Sequence, residues 1–536
     1  MKKPIVASLT AIACAMSAVS CSGNDNEKSS SEEKDEPKTN YSQYMKDYAR
    51  TEFNDSLDLS DFDFQSNDIP ADFALTLEAE EGTLSGETEI PSISLEGYSG
   101  DGYVFMKQSE GDSLTFSAQI ETAGNYDLIF NTASSGGQKY NNVSVNGNKV
   151  GDVYTQDGTF SLSTVKQVYL EKGKNDIMIT PSWGWIYIDN VKIVPASGIS
   201  EDTYKVSSEL VNPNAGIPAK QLMKFMSDVY GKYIISGQYA SEGVSSAEIE
   251  KIEKQSGKKP AILGLDLIEY SPSRVEHDSS SQAIEHAIDW YYNYGGIVTF
   301  CWHWNAPSKY LINTSAQPWY KGFYKEATTI NLDDIMNGKD NEGYDLLMSD
   351  IDAIALQLKR LDDAGVPVLW RPLHEASGGW FWWGNCSAES YKKLWNAVYD
   401  KLTNEHKLTN LIWVWNGQNK DWYPGDETVD MIGEDLYPGE KVYSSQSSKF
   451  MEVTEYTDTK KIIAMSENGC LFDPELAIRD GSLWSWFCVW NGEFVVDKFR
   501  QLNGIYNEKE MWSKVYQHER VLTLDELPDL RKYKID

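Results

Sequence analysis

The sequence predicts an α/β fold, a (β/α)8 TIM barrel preceded by an all-β jelly-roll or sandwich domain. Two observations predict it. In residues 220–536, a short apolar run is followed by an amphipathic stretch eight times in succession, and alternating β and α units of this number predict a parallel barrel. In residues 71–196, short runs of alternating polar and apolar residues recur between turn signals, which is typical of a sandwich or jelly roll.

Composition limits the classes of partner. The chain has 536 residues, which predicts two domains and a tail. Its net charge of −33 argues against nucleic acid or an anionic membrane surface as partner, because a phosphate backbone attracts Lys and Arg. Aromatic residues make up 12% of the chain, with 18 Trp and 31 Tyr. This usage fits a protein whose rings stack on carbohydrate, and an aromatic core is the alternative.

Residues 1–20 have the pattern of an export signal. Lys2 and Lys3 form a positive region, and residues 5–16 are an apolar run too short to span a membrane as a stable helix. The small residues before Cys21 resemble a bacterial lipoprotein signal, with Cys21 as the lipidated first mature residue. Cleavage by an ordinary signal peptidase is the alternative. We therefore expect an exported protein that a lipid on Cys21 anchors to a bacterial membrane, at the outer membrane surface or on the periplasmic side.

Residues 21–70 form an acidic segment rich in Ser, Asn, Asp, Glu and Lys and poor in apolar residues. Such a segment cannot bury enough apolar surface to offset the entropy lost when its backbone is ordered. We predict a disordered spacer that holds the folded domains away from a membrane, and local packing of the aromatics in residues 41–64 is the alternative for that part.

Residues 71–196 are predicted to form a binding module, followed by a linker at 197–219. Asn146 and Gly147 give a strong hairpin-turn signal. No pair of carboxyl groups in this segment looks catalytic, which favours binding over chemistry.

This segment resembles carbohydrate-binding module family 35 in its LEAEEGTLSG, GYSGDGYV, AGNYDL and WGWIYIDNVKI stretches. In that family, early glutamates and a late aspartate hold a structural calcium, and the matching positions are Glu78, Glu80 and Asp189. Oxygen ligands suit calcium. The family binds sugar through loop aromatics at one end, for which Trp183 and Trp185 are the candidates, although either ring could instead belong to the core.

Cysteine spacing argues against a zinc site. Cys301, Cys386, Cys470 and Cys488 show no CxxC spacing. We expect buried free thiols, and a disulfide cannot be predicted from the sequence.

Polar or aromatic residues follow almost every predicted barrel strand. In a parallel barrel the carboxyl ends of the strands form the catalytic face, so these residues should ring one cleft. The predicted strands are 233–238, 261–267, 297–302, 367–370, 411–415, 431–434, 462–466 and 484–489.

Two of these strands end in a glutamate. The first leads into Arg371, His374 and Glu375 and then a loop with two glycines and three tryptophans, which we expect to be exposed; the second ends in Glu467. A sugar site needs a carboxyl group of tuned pKa and flat aromatic faces, and two carboxyl groups from different strands are the minimum for glycoside hydrolysis. A buried Arg–Glu pair beside core aromatics is the alternative for the first segment.

Residues 220–536 resemble glycoside hydrolase family 26, a group of retaining endo-enzymes whose commonest member is β-1,4-mannanase. The histidine before the first glutamate is especially characteristic. The motifs are CWHW at 301–304, WRPLHE at 370–375 with Trp380, EDLYP at 434–438, SENG at 466–469 and the terminal VLTLDELPDL.

The resemblance implies that Glu375 is the acid/base and Glu467 the nucleophile. His374 and Arg371 would hold the acid and the first subsite, and His303 would contact the glycone side. Trp380 and Trp490 would be stacking platforms, and Asp435 and Tyr437 would position the nucleophile. The implied substrate-binding set is His303, Trp304, Arg371, His374, Trp380, Asp435, Tyr437 and Trp490. An Arg can follow the last-strand tryptophan in this family, but here the residue is Asn491, which leaves endo or exo preference open.

The predicted function is therefore that of a retaining endo-β-1,4-mannanase that hydrolyses mannan or galactomannan by double displacement. We expect a monomer that needs no cofactor for catalysis. A lichenase or β-1,3-xylanase of the same family is one alternative. A non-catalytic, surface glycan-binding lipoprotein is another.

Overall fold

A computed structural model describes residues 50–60, 68–92 and 95–535. The predicted export signal, Cys21 and most of the predicted spacer lie outside the described residues. Within the described ranges, no helix is long and apolar enough to cross a membrane.

Residues 75–195 form two five-stranded antiparallel sheets, which confirms the predicted all-β module. One sheet has the order β1-β10-β5-β8, with β3 also paired to β10, and the other has the order β2-β4-β9-β6-β7. Alternate residues of each strand point into the core; in β4, Leu114, Phe116 and Ile120 are buried in this way. The strands are β1 (Leu75–Glu78), β2 (Thr83–Ser85), β3 (Val104–Met106), β4 (Ser113–Ile120), β5 (Gly124–Ala133), β6 (Tyr140–Val145), β7 (Asn148–Tyr154), β8 (Ser161–Leu170), β9 (Gly173–Trp183) and β10 (Ile186–Pro195).

The second half of the chain forms a closed parallel barrel in the order β12-β13-β14-β15-β16-β17-β18-β19, which confirms the predicted fold class. The strands are β11 (Ile234–Ile235), β12 (Gly237–Tyr239), β13 (Ile262–Asp266), β14 (Ile297–Cys301), β15 (Val368–Arg371), β16 (Leu411–Trp415), β17 (Met431–Leu436), β18 (Ile462–Asn468), β19 (Phe487–Val489) and β20 (Val521–Leu522). The helices are α1 (Ile217–Val229), α2 (Ala247–Ser256), α3 (Pro272–Val275), α4 (Ala283–Tyr294), α5 (Leu332–Met336), α6 (Asn341–Asp363), α7 (Ala388–Asp400), α8 (Ser447–Val453), α9 (Pro474–Asp480) and α10 (Lys509–Tyr516).

The first predicted barrel strand is divided in two. β11 pairs with β20 outside the barrel, and only β12 enters the closed sheet. Gly237 begins β12 where it passes close to β19, because a Cβ there would lie 2.4 Å from the carbonyl oxygen of Phe487. The four described cysteines are free, and Cys301, Cys470 and Cys488 are buried, as expected.

Residues 50–60 lie against the barrel, so the prediction of a disordered spacer through residue 70 is wrong for this part. The Arg50 guanidinium donates to the carbonyl oxygens of Tyr294 (3.4 Å) and Leu527 (2.9 Å). The Phe53 ring covers Gly295, where a Cβ would lie 2.8 Å from it. One cation bonded to carbonyl groups and one partly buried ring offset the ordering of the backbone, which the polar composition of the segment did not predict. Because Tyr294 and Gly295 precede β14, residues 50–60, which we call the strap, lie at the amino ends of the barrel strands.

The module packs on the barrel through β8 and α8. The hydroxyl of Ser447 donates to the carbonyl oxygen of Gln167 (2.8 Å), and the amide of Lys166 donates to Ser448 Oγ (3.0 Å). The Gln167 side chain is buried and donates to the carbonyl oxygen of Asp480 (3.1 Å). The module and the barrel therefore share a bonded interface.

Candidate active site

Glu375 and Glu467 meet at the carboxyl ends of the barrel strands. Glu375 follows β15, and Glu467 lies near the end of β18. Carboxylate oxygens of Glu375, Asp435 and Glu467 all lie within 4.8 Å of one another. In retaining glycosidases the two catalytic carboxyl groups are about 5–5.5 Å apart, whereas inverting enzymes need roughly 6.5–9.5 Å to admit a water molecule. The close approach matches the retaining class.

Glu375 is held in a strained backbone conformation with φ of 54°. Its amide donates to the carbonyl oxygen (2.7 Å) and the side-chain oxygen (3.1 Å) of Asn416, and such contacts are what maintain left-handed backbone at functional sites. The Trp380 indole donates to Glu375 Oε2 (2.9 Å). Burial and the charge of Glu467 raise the pKa of Glu375 to about 7. The group can therefore carry a proton near neutral pH, as a general acid must.

Glu467 is almost fully buried, and both of its oxygens accept hydrogen bonds. Arg371 Nη2 lies 2.6 Å from Oε2, and the Tyr437 hydroxyl donates to Oε1. Two donors on one carboxylate fix its orientation and compensate its negative charge. The arrangement suits a nucleophile that must attack from a defined direction.

Arg371 is fully buried, so its predicted contact with substrate is wrong. Its other amino group, Nη1, lies 2.5 Å from Asp435 Oδ2, and Tyr239 accepts a further bond of 3.0 Å. Its nearest carboxylates are those of Asp435 and Glu467 rather than that of Glu375, so it holds the nucleophile and not the acid. Asp435, whose Oδ1 accepts from Ser466 (2.8 Å), shares Arg371 with Glu467. Because Arg371 and Asp435 are both buried, removing either one would leave the charge of the other uncompensated.

The two histidines form a chain with Asp266. His303 Nδ1 lies 2.6 Å from Asp266 Oδ2, and its Nε2 lies 3.2 Å from His374 Nε2. Burial lowers the pKa of His303, but the Asp266 carboxylate outweighs it and the net pKa is raised. Burial and the charges of Arg371 and His303 hold the pKa of His374 well below its usual value. His374 is buried, so its predicted substrate contact is wrong; it supports His303, which reaches the edge of the cleft.

Trp380 and Trp490 are partly exposed beside the carboxylates. The Trp490 ring lies 4.7 Å from that of Tyr239 and 5.6 Å from that of His303, between ring centroids. Both predicted platforms are therefore accessible. Trp380 lies next to Glu375, and Trp490 lies next to Tyr239, which contacts Arg371. Tyr239, which contacts both Trp490 and Arg371, was not singled out in the sequence because none of the family motifs covers the first strand.

Three other tryptophans are buried, which corrects two expectations. Trp304 was predicted to bind substrate, but its ring stacks on Trp302 with centroids 4.2 Å apart, and its indole donates to Asp350 Oδ2 (2.8 Å). Trp382 and Trp383 were expected to be exposed, but they donate to the backbone carbonyls of Trp304 (2.6 Å) and His374 (2.8 Å). Their N–H groups find partners inside, so these rings form the floor of the loop.

The module carries two exposed tryptophans at one end. Trp183 and Trp185 are 46% and 41% exposed, so neither belongs to the core. The Trp185 indole donates to Ser135 Oγ (3.2 Å), which fixes its ring. Two accessible rings on neighbouring strand ends can stack on a sugar chain.

Glu78, Glu80 and Asp189 surround Ser99. The Ser99 hydroxyl donates to Glu78 Oε2 (2.9 Å) and lies 3.3 Å from both carboxylate oxygens of Asp189. Burial and the neighbouring carboxylates raise the pKa of Glu78 and of Asp189. Glu80 Oε2 is buried and has no hydrogen-bond partner among the described residues. An unpartnered oxygen among acidic groups fits a hard cation.

Comparison with known proteins agrees with this geometry. The family model for glycosyl hydrolase family 26 matches residues 211–526, and that for carbohydrate binding module (family 35) matches residues 75–196. A mannan endo-1,4-beta-mannosidase of Thermothelomyces thermophilus is 40% identical over 85% of this chain and 91% of the relative. One of two such Piromyces sp enzymes is 36% identical over 84% of this chain and 77% of its own.

Solved structures give the same result. The Podospora anserina GH26-CBM35 β-(1,4)-mannanase is 40% identical, with a TM-score of 0.60, over 86% of this chain and 99% of that one. A ruminal GH26 endo-β-1,4-mannanase is 30% identical, with a TM-score of 0.60, over 87% and 99% of the two chains. The family match spans more than half of the chain and joins the same two domains, so this protein is a glycoside hydrolase that belongs to glycosyl hydrolase family 26.

Proposed function

We propose that the protein is a retaining endo-β-1,4-mannanase in which Glu375 is the acid/base and Glu467 the nucleophile. The observation that carries the proposal is the pair of carboxylates whose oxygens lie within 4.8 Å. Their environments differ in the way that double displacement requires. Glu375 has a pKa raised to about 7 by burial and by Glu467, whereas Glu467 accepts bonds from a cation and a hydroxyl.

In the first step, ionised Glu467 attacks the anomeric carbon while Glu375 donates its proton to the departing glycosidic oxygen. The bond to the leaving sugar breaks, and a covalent glycosyl-enzyme forms. Arg371 and Tyr437 hold the attacking carboxylate, and the indole of Trp380 holds the acid.

In the second step, Glu375, now ionised, removes a proton from the water that attacks the same carbon, and Glu467 leaves. Two inversions give net retention of configuration. Because the negative charge of Glu467 is lost in the intermediate, the pKa of Glu375 falls at the moment it must act as a base.

The substrate class is supported by the names of the relatives. Those that align over most of this chain are mannan endo-1,4-beta-mannosidases, and two similar solved structures are mannanases with the same domain pair or fold. We infer that the partly exposed Trp380 and Trp490 stack on the sugars flanking the cleaved bond, and that His303 contacts the glycone side.

The test is product release from mannan, galactomannan, lichenan and β-1,3-xylan by the wild type, Glu467→Ala, Glu375→Ala and the surface control Glu427→Ala. Mannan oligosaccharides that appear with Glu427→Ala and vanish with Glu467→Ala support the proposal, and NMR of the first product should show the β-anomer. Activity on lichenan or β-1,3-xylan alone would overturn the substrate. Binding without hydrolysis on all four polymers would make the protein a glycan-binding lipoprotein.

We also propose that the module binds a structural calcium and mannan-type sugar. Glu78, Glu80 and Asp189 would supply oxygen ligands, and Trp183 and Trp185 the stacking surface. Calcium should raise the unfolding temperature of the wild type but not of Asp189→Ala. Mannan should retard the Glu467→Ala protein in affinity electrophoresis less when both tryptophans are replaced.

For location, we propose export and anchoring through a lipid on Cys21, with no cofactor needed for the chemistry and a monomeric state. The support is the signal pattern before Cys21. Cys21→Ser should move the protein from the membrane to the soluble fraction, whereas an ordinary signal-peptidase product would be unaffected. Sedimentation would report the oligomeric state.

A further inference from the structure

The ring of Tyr437, whose hydroxyl donates to Glu467, packs against Phe494 and Gly469. Its centroid lies 5.2 Å from that of Phe494, at 56° between the planes. Gly469 lies beneath both rings: a Cβ there would be 2.6 Å from Tyr437 Cδ1 and 2.8 Å from Phe494 Cε1. Carbon atoms do not pack at such distances, so any side chain at 469 must displace one of the rings.

The requirement for glycine at 469 is one of space and not of backbone conformation. Gly469 is not among the glycines with positive φ, so its backbone would accept alanine. Its amide donates to the carbonyl oxygen of Leu436 (3.1 Å), the residue before Tyr437. This bond ties the end of β18 to the end of β17, which prevents the backbone from moving away from an added Cβ. The ring of Tyr437 would move instead.

Phe494 is fixed in turn. It is 8% exposed, and its ring lies 4.5 Å from that of Tyr506. The buried side chain of Asn507 donates to the carbonyl oxygens of Phe494 (3.3 Å) and Gly469 (3.5 Å) and accepts from the amide of Leu471 (2.7 Å). The Asn507 side chain therefore links the loop after β19 to the loop after β18, and these two loops contact the ring of Tyr437.

We propose that Gly469 and Phe494 are positioning residues that act through Tyr437 to align the nucleophile. The contact of the rings sets where the tyrosine hydroxyl points, and the hydroxyl sets the direction of one Glu467 oxygen. The other oxygen is set independently by Arg371. This inference rests on the proposed role of Glu467.

The test compares Gly469→Ala, Phe494→Leu and Tyr437→Phe with the matched control Gly504→Ala, where an added Cβ meets nothing within 4 Å. Both Gly469→Ala and Tyr437→Phe should lower kcat by roughly 10- to 100-fold, the scale of one hydrogen bond to a charged group, with KM little changed. Gly504→Ala should match the wild type in all these respects.

The decisive variant is the double substitution Gly469→Ala with Tyr437→Phe. If Gly469 acts through the hydroxyl, the double variant should be no slower than Tyr437→Phe alone. An additive loss, or a loss in Gly469→Ala that falls on KM rather than on kcat, would overturn the inference. Phe494→Leu, which keeps an apolar side chain, provides the same comparison if Gly469→Ala fails to fold. If Glu467→Ala retains full activity, the proposed mechanism fails; if it is inactive while Gly469→Ala equals Gly504→Ala, only the positioning role fails.

Discussion

The Nε2 atoms of His303 and His374 lie 3.2 Å apart, so a single proton must lie between two ring nitrogens. The proton is held more strongly by His303, because its Nδ1 lies 2.6 Å from Asp266. Burial and the charges of Arg371 and His303 lower the pKa of His374. The contacts therefore favour the charged form of His303 and the neutral form of His374.

We predict that nitrogen NMR will find His303 charged above its ordinary pKa and His374 neutral throughout the stable pH range. Asp266→Asn should lower the pKa of His303. A raised folded pKa contributes stability that is present below the unfolded value of about 6.5 and is lost as pH rises through the folded pKa. The substitution should therefore destabilise the protein more at pH 6 than at pH 9; equal losses at both would contradict the assignment.

The alkaline side of the activity profile should report Glu375. Burial and Glu467 raise its pKa to about 7, so kcat/KM for the polysaccharide should decline above about pH 7 as the acid loses its proton. In Glu467→Gln the charge is gone, and a carbon-13 titration of Glu375 should give a lower pKa than in the wild type. An unchanged value would assign the shift to burial alone.

Removing the acid should be less harmful when the leaving group needs no proton. Glu375→Ala should lower the hydrolysis of mannan about 10²–10⁴-fold but retain most of the first step on an aryl glycoside with an acidic phenol. Glu467→Ala should abolish both reactions. A burst of phenol from Glu375→Ala, measured by stopped-flow absorbance, distinguishes the two roles.

The tryptophans should separate into stabilising and substrate-binding groups. Trp304→Ala should cost about 3–5 kcal/mol in the free energy of unfolding, because it empties a buried site and leaves Asp350 without its indole donor. Trp490→Ala should leave thermal unfolding nearly unchanged but raise KM several-fold. The reverse pattern would mean that the cleft lies elsewhere.

Arg50 should contribute to stability although it precedes both domains. Arg50→Ala removes bonds to backbone carbonyls at the amino ends of the strands and should cost about 2 kcal/mol. Chemical denaturation measures the loss. Asp55→Ala, which changes an exposed residue of the same segment, is the control, and it should leave the unfolding midpoint unchanged.

Much of the fold and the reacting pair could be predicted from the sequence. Eight apolar runs that alternate with amphipathic stretches are compatible with few folds other than a parallel barrel. In such a barrel, glutamates at the carboxyl ends of two strands lie on the same face. The roles of Trp304 and His374 could not be predicted in the same way, because a motif records which residues lie near a site and not which of them face water. Trp304 is buried by Trp302, which belongs to the same motif, and by Asp350, which lies outside every motif.

The strap shows a different limit. Its polar composition predicted disorder, and composition counts apolar residues without regard to where a single Arg or Phe can bind. Arg50 finds carbonyl groups, and Phe53 finds the space above Gly295, only because the barrel folds and presents both.

The position of residues 50–60 determines which end of the barrel stays open to a polysaccharide. Tyr294 and Gly295 precede β14, while Glu375 and Glu467 lie at or after the carboxyl ends of their strands. Residues 50–60 therefore bind at the end of the barrel opposite the carboxylates. A long polymer can therefore lie across the two carboxylates without contacting residues 50–60.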